Sequence, residues 1–290
     1  MISSIPSKNL FVITLLVINK IDYLGDLALQ SILRLTDAPI IVGYLNSSDV
    51  EELRKFTRIT FIQMDKEAFN IGFDRSEKYQ DYQNENFFKL VQLKWPLLKH
   101  ASKVFNTEFV IYSDLDVVWI ESPEAYLREV YLKNEDVNIC IQDATFKGTT
   151  KALCMGFVSF RNNSRSHQIL DECSLEHANS LLRNPKSGDD GVITDYFNGL
   201  RDKSDFFLLP QLSFPIGLFS NAFGDHSPFS GLTVTHPFIF HANYLVGAKR
   251  KAMMMIYMLL KFDIEIEFPK NLRLEILFRR IVVPIKRFLC

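Results

Sequence analysis

Phe109-Val-Ile-Tyr-Ser-Asp-Leu-Asp-Val-Val-Trp119 is the stretch on which the reading turns. Phe109 to Tyr112 is a short run of β-branched and aromatic residues, the composition of a strand buried on both faces of a parallel sheet. It runs straight into Ser113-Asp-Leu-Asp116. Open α/β sheets bind ligands at the carboxyl ends of their strands, which is where this acidic pair falls. Two carboxylates separated by one residue can face one divalent cation, and hard oxygen ligands suit Mn²⁺ or Mg²⁺. Such a cation would neutralise a diphosphate and make a nucleoside diphosphate a better leaving group. The plainer alternative is an acidic turn at a strand end that only caps a helix.

The flanking sequence supplies the rest of an α/β alternation. Phe11 to Ile18 is a continuous aliphatic run, Pro39 to Tyr44 a second strand and Ile59 to Met64 a third. Between them, Asp26 to Leu35 has helical spacing through Leu27, Ile32 and Leu35, and Ser48 and Asp49 can cap a helix over Val50 to Phe56. Asn86 to His100 reads as one helix with Phe87, Leu90, Val91, Leu97 and Leu98 on its apolar side, kinked at Pro96. Asn138 to Gln142 and Gly156 to Phe160 are further strands, and a helix over Val192 to Phe197 follows the Gly188-Asp-Asp-Gly191 turn. Strand alternating with helix predicts a mainly parallel sheet with helices on both faces.

Composition narrows the classes. The 290 residues are 47 % hydrophobic and 23 % charged, with 25 Phe, an ordinary globular balance for one large core. A net charge of −1 gives no basic surface of the kind nucleic acid requires. Cys140, Cys154, Cys173 and Cys290 show no close pairing, so neither a disulfide framework nor a zinc site is expected, and a reducing, cytoplasmic compartment is. Leu10 to Ile18 is too short to span a bilayer and lacks a cleavage site after it, which leaves the sequons at Asn46 and Asn162 without consequence.

Asp114 to Val118 also fits the first motif of haloacid-dehalogenase-like phosphatases. Asp114 would then be a nucleophile and Asp116 an acid/base, with Ser159, Lys186 and the Asp189-Asp190 pair filling the other motifs. Position argues against it: that family usually begins with its nucleophilic strand, and here more than a hundred residues precede it.

The same segment, Val110 to Trp119 followed by Ser122-Pro123, resembles the D-x-D segment of the nucleotide-diphospho-sugar transferase family, the group holding α-galactosyl- and α-xylosyltransferases. Three further segments follow in matching order. Cys154-Met-Gly-Phe-Val-Ser-Phe-Arg161 resembles the family's N-x-G-F-x-x-x-R strand, and Asp189-Asp-Gly-Val-Ile-Thr194 its D-Q-x-x-F-N helix start. Phe240 to Lys251 resembles the closing H-x-N-x-x-x-G-x-x-x-K. The resemblance spans about residues 85 to 255. It implies a Rossmann-like GT-A fold in a single domain, a nucleotide-diphosphate-sugar donor (expected to be a UDP-sugar), a divalent metal and transfer with retention to a glycan or glycolipid.

By the same resemblance His241 completes a metal site with Asp114 and Asp116; by itself, a His after an apolar strand is more often a satisfied core residue. Gly247 would let backbone amides approach the diphosphate, Asn243 matches the family spacing, and Lys249 or Lys251 would oppose the departing phosphate unless the three basic residues simply solvate a helix start. Lys94 matches a basic residue that faces the donor, or is a solvated helix Lys. Tyr23, in the loop after the first strand, stacks on the base or packs. Gln142 and Asp143, at a strand end, are candidate sugar or acceptor contacts on position alone. Two departures stand out: Cys154 replaces the family's Asn, and Asp190 replaces its Gln. A carboxylate is what double displacement needs, so Asp190 is either a nucleophile or an anion stabilising an oxocarbenium-like transition state, with Asp189 bonding hydroxyls. As residues between two glycines, both can also be helix-cap acids.

Charge is uneven. Residues 249–290 carry ten Lys/Arg against four Asp/Glu, a local +6 against −7 for the remainder. The expected division is a catalytic domain over residues 1–255 and a basic helical appendage over 256–290. In the appendage Arg273, Arg279, Arg280, Lys286 and Arg287 stand among Leu, Ile, Val and Phe. Such a segment can lie peripherally on an anionic inner membrane face, near lipid-linked acceptors, or pack on the domain.

Overall fold

The computed structural model describes residues 10–17, 22–65, 85–145, 150–217, 236–243 and 247–267. Strand β1 (Phe11–Val17) is buried along its whole length, as its unbroken aliphatic run predicts. Its side chains divide by parity. Phe11, Ile13, Leu15 and Val17 enter one core with α1 (Asp22–Leu33), while Val12 and Leu16 enter a second core on the other face. Each large aliphatic side chain so buried contributes about 1.5–3 kcal/mol.

β1 pairs in parallel with β2 (Ile40–Tyr44), which pairs in parallel with β3 (Ile59–Gln63). The segment predicted as a helix over 50–56 is instead two short 3₁₀ turns, Ser47–Asp49 and Glu51–Lys55, closed by the Asp49 carboxylate accepting from the Asn46 backbone N–H at 2.9 Å. The single kinked helix predicted over 86–100 is two helices, α2 (Glu85–Val91) and α3 (Lys94–Val104). Pro96 lies in the first turn of α3, where a missing N–H costs nothing, so the break falls before it, at Gln92 and Leu93.

On its other side β1 pairs in parallel with β4 (Phe109–Ser113). The chain then forms β5 (Val117–Trp119) and α4 (Glu124–Lys133) and returns through β6 (Ile139–Asp143). Next, β7 (Leu153–Arg161) runs antiparallel to both β4 and β6. A helix without an equivalent in the sequence expectations, α5 (Ser164–Arg183), is capped by the Asn163 side chain, which accepts from Ser166 N–H at 2.9 Å. It is followed by α6 (Asp189–Gly199) and β8 (Phe206–Leu209), the latter parallel to β6. The resulting seven-stranded order is β3-β2-β1-β4-β7-β6-β8, with only β7 reversed. The mixed, mainly parallel sheet between helical layers agrees with the expected architecture.

A second, two-stranded sheet joins β5 antiparallel to β9 (Ile239–His241), and α7 (Ala248–Lys261) packs near them and against α1. The described part of the expected appendage begins inside α7; the basic tail from Arg273 onward lies outside the described residues. Among the described residues no helix is long and apolar enough to cross a membrane.

Candidate active site

Because six strands of the main sheet run one way, their carboxyl ends share an edge, and the start of reversed β7 lies there too, with Gln142 opposite Cys154. Asp114 leaves the end of β4 with its N–H donating to the Gly156 carbonyl at 2.8 Å. Asp116 precedes β5, and its carbonyl accepts from Ala242 N–H at 2.8 Å. That bond and the Val117–His241 register tie the acidic segment to His241, far away in sequence. Asp114, Asp116 and His241 each present one ligand atom, all within 4.8 Å of one another. Two carboxylate oxygens and an imidazole nitrogen form a donor set that fits a divalent cation such as Mn²⁺ or Mg²⁺.

Two lysines hold the carboxylates. Lys251 Nζ lies 2.6 Å from Asp116 Oδ2, and His241 Nε2 lies 3.2 Å from Asp116 Oδ1. Burial opposes the Asp116 charge, but Lys251 and His241 outweigh it and hold the carboxyl well below its usual range. On the other side Lys94, buried in the first turn of α3, is 2.7 Å from Asp189 and 3.1 Å from Asp114, and its ammonium lies over the Tyr112 ring at 5.0 Å. Burial alone would lower the Lys94 ammonium; the carboxylates of Asp114 and Asp189 reverse that and hold it well above its ordinary value. Tyr112 donates its hydroxyl to Asp114 Oδ1 at 2.6 Å. Asp114 itself is raised, by burial first and by its Asp116 neighbour, against the opposing pull of Lys94.

Asp189 and Asp190 occupy the first turn of α6 rather than a preceding loop, where acidic residues complement the helix dipole. Asp190 Oδ1 accepts the Met155 N–H at 2.6 Å, which fastens α6 to the start of β7. Burial and the adjoining Asp189 push the Asp190 carboxyl up to about 7. Behind this turn, buried His177 accepts from Trp95 Nε1 at 2.9 Å and reaches the Ser187 carbonyl at 3.1 Å, bracing the approach to Asp189.

The remaining residues singled out from the sequence divide between this cluster and its surroundings. Asn243 accepts from Gly217 N–H at 3.0 Å and donates to Cys154 Sγ at 3.5 Å. Gly247 precedes α7 with φ of 96°, in the region that favours glycine, and its carbonyl accepts from the N–H of both Arg250 and Lys251. Lys249 is exposed on α7. Gln142 is buried, touching His241 Nδ1 and the Phe214 carbonyl. Asp143 accepts from Thr145 N–H and pairs with Lys151 at 3.2 Å. Tyr23 lies within the first turn of α1, half-buried against the core, rather than in a loop. Sequence reasoning passed over Tyr112 and Gly156. An aromatic two residues before Asp114 and a glycine in an otherwise apolar strand were the available signals.

The phosphatase alternative finds no support in this arrangement. Ser159 is buried in mid-sheet, opposite Ile111, where its hydroxyl accepts from Tyr131 at 3.2 Å, and Lys186 is exposed in the turn before α6.

The family model of nucleotide-diphospho-sugar transferases matches residues 49–255, most of the chain and every part of this cluster. The chain belongs to that family. Solved structures agree on the fold of this transferase. Galactosyltransferase LgtC in complex with donor and acceptor sugar analogs is 12 % identical, with a TM-score of 0.57 over 90 % of this chain and 99 % of that one. Mouse xyloside xylosyltransferase 1 is 11 % identical, with a TM-score of 0.53 over 81 % of this chain and 98 % of that one. Glycosyltransferase GlyE of Streptococcus pneumoniae is 9 % identical, with a TM-score of 0.56 over 89 % of this chain and 65 % of that one. No curated protein shows significant similarity to the sequence. The transferase is therefore a nucleotide-sugar glycosyltransferase of GT-A architecture.

Proposed function

We propose that this glycosyltransferase is metal-dependent and moves a sugar from a UDP-sugar to a glycan or glycolipid acceptor with retention of configuration. The observation that supports this best is the convergence of Asp114, Asp116 and His241 on one point at the carboxyl edge of the sheet. These three residues would hold Mn²⁺ or Mg²⁺, which when bound neutralises the donor diphosphate and lowers the barrier to its departure.

The protein's own groups do the remaining work. Lys251 fixes the Asp116 carboxylate and, with Lys249, brings positive charge toward the phosphates. Lys94 fixes Asp114 and Asp189 together, so the metal-facing acid and the start of α6 keep one spacing. Gly247, Asn243 and Asp143 are donor or acceptor contacts in this reading, and Tyr23 contacts the base. In the transfer step the bond between the anomeric carbon and the β-phosphate oxygen breaks. A bond from that carbon to the acceptor oxygen forms on the same face, and the acceptor proton passes to the departing phosphate. Asp190, as an anion, stabilises the positive charge that develops on the sugar ring, and Asp189 accepts from sugar hydroxyls.

Residues 1–255 serve as the catalytic domain in this reading, in a cytoplasmic protein whose basic segment from residue 256 onward contacts anionic membrane carrying the acceptor. Binding to anionic liposomes that salt abolishes is the expected result for that part. For the donor, the test is thermal stabilisation by a panel of nucleotide-sugars with Mn²⁺. A bound donor raises stability with its occupancy, and stabilisation by UDP-sugars only when metal is present is expected. Equal stabilisation with and without metal would contradict the proposal.

A further inference from the structure

The inward stripe of α5 is Ser166, Ile169, Leu170, Cys173 and His177, and the imidazole that ends it is fully buried. A buried ring has to satisfy both of its nitrogens, and the two partners of His177 decide which one carries the proton. The Trp95 indole N–H can only donate, so Nδ1, 2.9 Å away, accepts. The Ser187 carbonyl can only accept, so Nε2, 3.1 Å away, is the N–H. The ring is therefore neutral, and burial, the largest influence on it, holds its proton affinity down against the pull of Asp189.

Each partner adjoins a residue of the site. Trp95 follows Lys94 in the first turn of α3. Ser187 stands just before Gly188, whose carbonyl accepts from Val192 N–H at 3.1 Å and so starts α6 at Asp189. Lys94 and Asp189 then meet at 2.7 Å, with Asp114 3.1 Å from the same ammonium. The contacts form a closed loop from Lys94 through Trp95, His177, Ser187 and Asp189 back to Lys94. An ion pair by itself fixes a distance; the second connection, through His177, also fixes how α3 and the start of α6 are oriented.

We propose that His177 is a positioning residue, a neutral imidazole that clamps α3 to the turn before α6 and thereby fixes where Asp189 stands relative to Lys94 and Asp114. The role rests on the reading above in which Asp189 accepts from hydroxyls of the donor sugar. Displacing such a contact by about 1 Å can slow a reaction about 100-fold. Asp116, His241 and Lys251 are held to one another by separate contacts, so the metal and nucleotide side should not feel the loss of the clamp.

The test compares full-length wild type with His177→Leu, His177→Gln, Trp95→Phe and Asp189→Asn. The readouts are release of UDP from UDP-glucose, UDP-galactose and UDP-xylose with Mn²⁺, affinity for UDP with Mn²⁺, and the position of Asp189 in crystals. His177→Leu should lower kcat about 10–100-fold, leave UDP affinity within a few-fold of wild type and show Asp189 drawn away from Lys94. Trp95→Phe opens the clamp from the α3 side and should lower kcat too, which keeps the test open if His177→Leu does not fold. His177→Gln, whose amide can accept from Trp95 and donate to Ser187, should restore wild-type kcat. An unmoved Asp189 with wild-type kcat in either opened variant overturns the proposal. So does UDP affinity that falls in step with kcat, or a Gln variant no better than Leu. Asp189→Asn separates the clamp from the reading beneath it. Full turnover in Asp189→Asn removes the sugar-binding role of Asp189 and the purpose of the clamp with it. Slow Asp189→Asn beside a full-rate His177→Leu removes the clamp alone.

Discussion

The imidazole of His241 fills the space that a side chain at position 156 would need: a Cβ built on Gly156 would lie 1.9 Å from Cε1 and 2.7 Å from Nε2. Gly156 is therefore the slot in β7 that admits the ring toward Asp116. In Gly156→Ala either the ring leaves or β7 shifts. Overpacking of this kind costs about 1–3 kcal/mol, measurable by urea unfolding. Displacing a ligand that the site needs should weaken Mn²⁺ binding by at least about 10-fold. An alanine variant that loses stability but keeps full Mn²⁺ affinity would show that β7 gives way and the ring stays in place, whereas full Mn²⁺ affinity in His241→Ala would show that His241 is not a ligand.

Lys94 is buried between two carboxylates, so its removal leaves charge uncompensated in the interior. Lys94→Met should lose about 3–5 kcal/mol of folding stability at neutral pH, the usual penalty for breaking a buried pair from one side. The loss should shrink in acid, where Asp114, whose carboxyl burial raises, can protonate. Comparison of urea midpoints at pH 5 and pH 7.5 checks this; a loss independent of pH would indicate packing rather than charge.

Asp190 gives the pH dependence a definite sign. Its folded-state carboxyl titrates at about 7 and its unfolded one near the ordinary 3.8. Between those values the unfolded chain has released a proton that the folded chain retains. Stability therefore falls as pH rises from about 4 to about 7, then levels off. Asp190→Asn keeps the acceptor for Met155 N–H but cannot ionise, so its stability relative to wild type should grow across that window. If the Asp190 anion supports transfer, wild-type turnover rises with pH through about 7. The Asn variant would then be slow and flat over the same range. Full turnover by Asp190→Asn would remove the catalytic role.

The strands were legible because a strand buried on both faces leaves an unbroken apolar run, as in Phe11–Val17 and Phe109–Ser113. The acidic pair could be placed for the same reason, since it terminates such a run. Less could be read where long-range contact decides. Residues 50–56 have helical spacing, yet the Asp49 cap closes the chain into 3₁₀ turns. The strand character of Val117–Trp119 depends on pairing with Ile239–His241, distant in sequence. Asn163 before Ser164–Arg183 carried a cap signal that the helical pattern of that polar, solvent-facing helix did not make conspicuous. In the site, residue types and position pointed to Asp114 and Asp116, and His241 was reached only through the resemblance of its flanking segment. The partners of Gln142 and Lys94 depend on which face of an element turns inward, which spacing alone does not give.

Asp114 and Asp116 should be indispensable as a pair. Asp116→Asn retains the size of the side chain but weakens both its bond to Lys251 and its affinity for a cation. Turnover is expected to fall by two orders of magnitude or more, since the metal stabilises several kcal/mol of developing charge. Raising Mn²⁺ should recover part of the loss in Asp116→Asn. No recovery, with the fold intact by circular dichroism, would assign Asp116 a different role.

Release of nucleoside diphosphate from a UDP-sugar by the metal-stripped protein, followed as Mn²⁺ is added back, addresses the central claim most directly. The account predicts negligible release in EDTA and saturable recovery with Mn²⁺ in the wild type, with no recovery at the same concentrations in Asp114→Asn. Undiminished release in EDTA would contradict it.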